Sequence, residues 1–465
     1  MTLQNIRQLL NILTQAVDAL EAELKKKDVD FPALDTPISV GSPAELSTTS
    51  EEAVKAIDLI VAAAGQLTAT VRAPFATLME ASQVNLPAVL QFVISVHVPE
   101  LLRAAGTDGL HADHIASKAG VDGQKLAHVL RYLATFHIFQ EVAPNVFANN
   151  RISSLLDTGN AFEAITDDPL TKHSGSNGVA ALILVNADLT TITTKLTEHY
   201  TAPDTKFSRE PDNTVASTAF GVRGKTFFAW LEQPENRKRA MMYGFAMRAA
   251  EFMEVPTFDW ASLRDGSLVV DVGGGIGNVM MSLYKTYPSL KFEIQDRIQS
   301  IWSSEFPEAL PSGRVSFRTH NFLEPQPVKD AAVFFLRNIL HNWPDAYITR
   351  VLRHLRDSAT PETKLLIVDR ILPYATPGTS CDTSGIQGVE TRAAPPPLLA
   401  NFGRATSIVS ALDLGVQTTM NGLERTIGEL VDVTSRAGWT IERVTRPRGD
   451  ISVAHILAVP GDIHA

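Results

Sequence analysis

Apolar residues at Ile6, Leu10, Leu13, Val17, Leu20 and Leu24 recur in alternating steps of four and three. On a helix that spacing draws a heptad seam, closed by Lys25, Lys26 and Lys27 where the helix dipole favours cations. Two uses fit such a helix: packing on its own domain, or reaching across to a partner subunit. A seam of about three heptads is marginal alone and needs one or the other. From Phe31 to Ser47 the chain is rich in Pro, Ser, Thr and Asp, the composition of a linker. A second helix is predicted from Ser50, with Glu51 and Glu52 in its first turn, through an Ala/Ile/Leu-rich face to Arg72.

Residues 84–150 read as short helices separated by turns. Leu86 to Ala105 is strongly apolar and stops at Gly106. His111 to Ala119, a turn at Gly120 to Gly123, and Gln124 to Phe136 form a helix-turn-helix pattern. Phe139–Val142 and Val146–Ala148, joined through Pro144 and Asn145, complete it with a small β-wing. Residues 213–255 read as helices carrying aromatic and methionine side chains, among them Phe227, Phe228, Trp230, Met241, Met242, Tyr243, Phe245 and Met247. Such stripes are usually core, but this one leads into the segment that carries the chemistry, so Phe228, Tyr243 and Met247 are candidates to line a substrate pocket.

From Ser267 the pattern changes to strand, turn, helix, strand. Leu268–Val272, Phe292–Gln295, Val315–Arg318, Ala332–Leu336 and Leu365–Val368 are strand cores with helical stretches between them. Alternation of this kind predicts an α/β fold: a mostly parallel, Rossmann-like sheet covered on both faces, behind a mainly helical N-terminal region. The chain divides at 1–46, an N-terminal helix and linker; at 47–212, a helical winged-helix region; and at 213–465, the sheet-containing domain.

Composition narrows the function. Asp and Glu exceed Lys and Arg by 51 to 41, and the candidate recognition helix carries only Lys125, His128 and Arg131. That is poor equipment for phosphate backbones, so no nucleic-acid partner is expected and the winged helix serves packing. Cys381 is the single cysteine, which removes intrachain disulfides and cysteine-based zinc sites; no metal is expected. No uninterrupted apolar run reaches membrane-spanning length, and Gln4, Asn5, Arg7, Gln8 and Asn11 break up any signal peptide, so the expectation is a cytoplasmic protein without a membrane partner.

Candidate chemistry gathers at the carboxyl ends of the strands, where open sheets bind ligands. Asp271-Val272-Gly273-Gly274-Gly275-Ile276-Gly277 follows the first strand core. Its glycines permit a sharp turn and close backbone approach, but the spacing is not that of a dinucleotide site and no Lys-Ser/Thr follows. Asp296 ends the second strand, where a carboxylate can accept both ribose hydroxyls. An adenosyl ligand without a pyrophosphate suits this set, and S-adenosylmethionine is the best candidate. Downstream stand His341 in Leu340-His341-Asn342-Trp343-Pro344-Asp345, Asp369 in Val368-Asp369-Arg370-Ile371-Leu372-Pro373, and Glu424 in Asn421-Gly422-Leu423-Glu424-Arg425-Thr426. A neutral histidine accepts a proton from a phenol or enol, and a carboxylate on its other nitrogen fixes the tautomer.

These four motifs, in this order, resemble the small-molecule O-methyltransferases that include the plant caffeic-acid type; Gln295-Asp296-Arg297 and the stretch from Asn321 to Val328 are similar to fungal secondary-metabolite members. The resemblance spans about residues 50–460. It implies a homodimer with intertwined N-terminal domains, a sheet with one antiparallel strand, and a small-molecule substrate. By motif it implies that Asp271, Gly273, Gly275, Gly277, Asp296, Arg297, Asn321, Phe322 and Arg337 hold the cofactor. His341 would be the general base, bracketed by Asp369 and Glu424, and Asn342, Trp343 and Asp413 would join the substrate pocket. Where relatives commonly carry Asp before Phe, this chain has Asn321, which would present a neutral amide to the adenine amine. The stretch 374–405, with Cys381 and Pro395-Pro396-Pro397, is a long loop expected to shape or cover the pocket. Some fungal proteins resembling this family bind S-adenosylmethionine yet catalyse dehydration and pericyclic cyclisation without moving a methyl group.

Overall fold

A computed structural model describes residues 3–167, 171–251, 257–296, 310–378, 381–447 and 453–462. The chain opens with α1 (Leu3–Lys26), which lies antiparallel along α2 (Glu51–Val71). The buried line of α1 is Leu9, Ile12, Ala16, Leu20 and Leu24. Leu10 and Val17, two members of the heptad seam, are about half exposed instead, at 48% and 50%. The correction has a geometric cause. A strict heptad seam needs supercoiling to 3.5 residues per turn, whereas two straight helices touch along a line near the natural 3.6. The small Ala53, Ala56, Ala62 and Ala63 of α2 let the helices come close along that line. The packing is within one chain, and Leu3, Leu10 and Val17, seven residues apart, are left facing outward.

The segment 31–47 is laid against the winged helix and does not hang free as a linker would. Arg151 holds Glu45 through two hydrogen bonds of 2.9 and 2.6 Å, and its guanidinium lies 5.5 Å from the Phe31 ring centre. The Arg151 N–H donates to Leu34 O, and the Ile38 N–H donates to Ser154 Oγ. Ser42 then caps a helical turn at Pro43–Ser47.

Helix α2 is long and apolar enough to cross a bilayer by length and composition, and it uses part of that surface against α1, Leu398 and Phe402. Beyond it, α3 (Pro74–Ala81) buries none of its residues; Phe75, Leu78 and Met79 are exposed, as is Val84 after it. The apolar run after residue 84 forms α4 (Asn85–Ser95) and a shorter helix, Val98–Arg103, divided at His97, whose φ is +62°. The winged helix follows: β1 (Leu110–His111), α5 (Ala112–Ala119), α6 (Gly123–Thr135), β2 (Gln140–Ala143) and β3 (Val146–Ala148). Gly120 in the left-handed conformation ends α5, and Asp122 caps α6 by accepting the Lys125 N–H. Arg131, the most DNA-like residue of α6, donates twice to Glu141 and once to Asn145.

After α7 (Val179–Thr193) and α8 (Arg237–Glu251), packed side by side, the sheet begins. Its strands are β4 (Leu268–Val272), β5 (Lys291–Asp296), β6 (Val315–Thr319), β7 (Val333–Arg337), β8 (Lys364–Arg370), β9 (Trp439–Thr445) and β10 (Val453–Pro460), in the order β6-β5-β4-β7-β8-β10-β9. Pairing is parallel from β6 to β8, and β10 runs against both its neighbours. Alternation along the strands sends Val270, Val272, Phe334, Leu336, Leu365 and Ile367 to one face, against α10 (Asp345–Arg356) and α12 (Ile427–Arg436). Val269, Phe335, Leu366 and Val368 go to the other, against α9 (Asn278–Thr286) and Trp260. Each such aliphatic side chain contributes about 1.5–3 kcal/mol by leaving water. This rigid sheet positions the loops that carry the chemistry. One more helix, α11 (Ser407–Met420), precedes α12 and reaches back to α7.

The 374–405 loop runs from β8 to the N-terminal hairpin. Gln387 exchanges hydrogen bonds with β9, while Arg392 reaches Asp58 and Gln66 holds Pro397 O and the Leu399 N–H. The loop therefore ties α2 to the sheet domain.

Candidate active site

The glycine turn after β4 is held by β5. Gly273 and Gly274 donate to Gln295 O, and Gly275 donates to Asp296 Oδ2 at 2.8 Å. Gly273, Gly275 and Gly277 take φ values of +74°, +57° and +81°, the region where a side chain is strained. Their surroundings differ. A Cβ on Gly273 would strike Ile339, and one on Gly274 would strike the Asp271 carboxylate, but one on Gly275 would meet no protein atom within 4 Å. Gly275 thus borders open space beside the Asp296 carboxylate. Asp271 is buried beneath the turn; burial pushes its carboxyl up to about 7, against the pull of Arg337 and with some help from Asp296. This glycine-walled hollow beside a carboxylate suits a ribose, whose hydroxyls can donate to Asp296, better than it suits a phosphate. Phe322 sits over Gly273 and meets Trp343 edge-on at 5.7 Å. Asn321 uses its Oδ1 to accept the Leu323 N–H. Arg297 lies outside the described residues.

His341 occupies a single 3-10 turn, Leu340–Asn342, directly after β7. Asp369 is near the end of β8, the neighbouring strand, and Glu424 stands in the loop between α11 and α12. The three converge: Nδ1 of His341 is 2.8 Å from Glu424 Oε1 and 4.0 Å from Asp369 Oδ1. A carboxylate at Nδ1 makes that nitrogen the donor, which leaves Nε2 to accept a proton. Burial presses the His341 pKa down, but the charge of Asp369 and the bond and charge of Glu424 outweigh it, so the imidazole titrates above its ordinary value. Asp369 is pushed up to about 7 by burial first, with His341 opposing and Glu424 adding to the rise.

The loops around this group are tightly set. Leu423 donates to His341 O, and Gly422 lies so close to His341 O and Asn342 that no Cβ fits there. Asn342 turns its amide to Asn338 O, and Asp413 on α11 accepts the Glu424 N–H at 2.9 Å. Trp343 packs against Tyr347, whose hydroxyl donates to Glu210 and is thereby pushed up to about 12. Asn421 donates to Glu210 O and Asn213 O, so the segment preceding residue 214 is tied to the loop that carries Glu424 and, through Tyr347, to α10. Phe228 and Met247 are partly open, and Tyr243 packs against Phe227. Sequence reading passed over Gly422, Tyr347, Glu210 and Arg425. The Asn421–Thr426 motif contains two of them, but only Glu424 stands out there, because carboxylates carry recognisable acid-base chemistry and a glycine or a buried arginine does not.

Comparison with known proteins follows the same division. Residues 79–159 match the O-methyltransferase dimerisation domain and residues 205–390 the O-methyltransferase domain. An O-methyltransferase of Armillaria gallica is 39% identical over 95% of each chain. The 4-O-methyltransferase 1 of Phanerochaete chrysosporium is 36% identical over 98% of this chain and 99% of its own. Among solved structures, LepI in complex with S-adenosylmethionine superposes with a TM-score of 0.65 at 18% identity, covering 87% of this chain and 94% of that one. A structure described as a pericyclic reaction enzyme gives 0.65 at 17%, with the same coverage.

Proposed function

Because the chain belongs to the S-adenosylmethionine-dependent O-methyltransferase family, we propose that it methylates a hydroxyl of a phenolic, enolic or pyridone secondary metabolite, with His341 as the general base. The observation that carries this reading is the convergence of Glu424 and Asp369 on Nδ1, which leaves Nε2 as the basic atom. S-adenosylmethionine supplies an electrophilic methyl group on its sulfonium sulfur. Gly275 and Asp296 would seat the nucleoside, Asp271 and Arg337 would line the amino-acid end, and Phe322 would cover the turn. Nε2 would take the proton as the acceptor oxygen attacks, and Glu424 would stabilise the imidazolium that results. Most of the rate would come from alignment. Phe228, Tyr243, Met247 and Trp343 would line the acceptor side.

The same proposal includes a cytoplasmic homodimer divided near residues 47 and 213. The exposed Phe75 and Leu78, just before the matched dimerisation segment, and Met79 and Val84, at its start, support the dimer. The alternative, a cyclisation in which the cofactor stays intact, rests on fold likeness, whereas the relatives above 35% identity are named methyltransferases.

The test is turnover of a panel of phenols, enolic diketones and hydroxypyridones with S-adenosylmethionine, followed by mass spectrometry. A product heavier by one methyl, with S-adenosylhomocysteine released, supports the proposal. Product of unchanged mass, or lighter by water, with the cofactor recovered intact, overturns it.

A further inference from the structure

Arg425 follows Glu424 directly, and its side chain is buried, 2% exposed, against the loop that carries His341. The guanidinium donates at 3.0 and 2.8 Å to Asp345 Oδ1 through Nε and Nη2, and at 2.8 Å to Trp343 O through Nη2. Nη1 donates to Leu340 O at 3.0 Å and to Leu423 O at 3.2 Å. Four residues in two loops are thus held by one planar group. Leu340 precedes His341, Trp343 follows it by two, and Leu423 precedes Glu424. The backbone of Arg425 reaches the end of β8 as well: its carbonyl accepts the Leu372 N–H, and it bridges to Ile371, two residues beyond Asp369. A fully buried arginine is costly unless its donors are matched, and here each terminal nitrogen has partners in a fixed fork geometry.

Resting on the reading of His341 as the base, we propose that Arg425 is the positioning residue of this site: it sets the distance and angle between the His341 imidazole and the Glu424 carboxylate without touching substrate or cofactor. The cofactor turn is hydrogen-bonded within β4 and β5, to Gln295 O and Asp296, and those bonds involve none of the clamped residues; the two parts meet through apolar contacts, Phe322 with Trp343 and Gly273 with Ile339. A defect in Arg425 should therefore separate the two halves of the site. Arg425→Lys keeps the charge but replaces the planar fork by a flexible ammonium with three donors, which cannot match the five contacts.

The experiment compares wild type and Arg425→Lys in three readouts: thermal unfolding, kcat and cofactor KM, and the His341 titration followed by NMR of ¹³C-labelled histidine. The expected result is a kcat lower by about 10²-fold, the scale of an ångström-sized misplacement, with cofactor KM unchanged. The His341 titration should move toward lower pH as the bond to Glu424 loosens. If Arg425→Lys does not fold, Asp345→Ala, at a partly exposed partner, carries the same measurement by removing the acceptor of two of the five bonds. A folded variant whose His341 titrates as in wild type overturns the proposal whatever happens to kcat, because a structural role alone would leave that titration in place. Should His341→Ala keep wild-type turnover, the assignment of the base falls, while the NMR shift still decides the role of Arg425.

Discussion

Nδ1 of His341 lies 2.8 Å from Oε1 of Glu424, a residue 83 positions further along the chain. That bond commits one imidazole nitrogen and frees the other, and Asp369 stands 4.0 Å away on the adjacent strand as a second carboxyl. If this pair performs base catalysis, His341→Ala lowers kcat by about 10²–10⁴-fold. Cofactor affinity measured by calorimetry stays as in wild type, since the glycine turn is built elsewhere. Glu424→Gln costs less, and the double variant costs less than the product of the two single losses, because both act through one ring.

The pH profile carries a sign. The neutral imidazole is the active form and its pKa lies above the ordinary value, so kcat rises with pH and reaches its plateau only above that value. Glu424→Gln removes a bond and a charge that raise the pKa, so its rising limb moves to lower pH even as the plateau drops. A limb that stays in place would exclude His341 as the titrating group.

Gly273 and Gly275 separate protein packing from ligand binding. Both have positive φ, so alanine costs about 1–2 kcal/mol at either. At Gly273 the new methyl also meets Ile339, whereas at Gly275 it enters open space. Gly273→Ala should therefore lower the melting temperature further than Gly275→Ala, and Gly275→Ala should abolish S-adenosylmethionine binding in calorimetry while remaining folded, with only the loss of stability that its backbone strain brings. Equal affinity in Gly275→Ala and wild type would remove the turn from the cofactor site.

Acid should destabilise the protein in part through a second buried histidine, on the strand next to the one that carries Asp369. His455 on β10 is buried, accepts the Thr257 N–H at Nδ1, and is pushed down to about 4 by burial, with Arg337 adding to the effect. The folded pKa is depressed, so the stability it contributes is complete above the unfolded value near 6.5 and is lost as pH falls toward 4. Melting temperatures should decline across that window. His455→Gln, which keeps an acceptor for Thr257 and cannot charge, should make the decline shallower, with His173, also pushed down to about 4 by burial, contributing the remainder, and an unchanged slope would dismiss His455 as a source.

The exposed apolar surface of α3 predicts association. Phe75 and Leu78 are 76% and 71% exposed on a helix that buries nothing in its own chain. Light scattering should report a dimer for the wild type at micromolar concentration and a smaller species for Phe75→Asp/Leu78→Asp. Identical masses would move the interface away from α3.

Legibility followed the range of the interactions. Wherever a property rests on near neighbours, the amino-acid order alone determined it: the strand cores from Leu268 onward, the turn at Gly120 to Gly123, the glycine turn, and the short motifs in which His341, Asp369 and Glu424 stand. Periodicity and backbone freedom act over a few residues, and they survive translation into structure. What only the tertiary structure decided is which surfaces meet. It chose Leu9 and Ile12 over Leu10 and Val17 on α1, because the alanines of α2 lie on that side. It laid residues 31–47 on Arg151, a partner more than 100 positions away. It brought residues 341, 369 and 424 together because β7 neighbours β8 and the loop before α12 returns to them. It buried Arg425 at the centre of that junction. Long-range contacts depend on strand order and loop closure, and no local pattern of residue types specifies either.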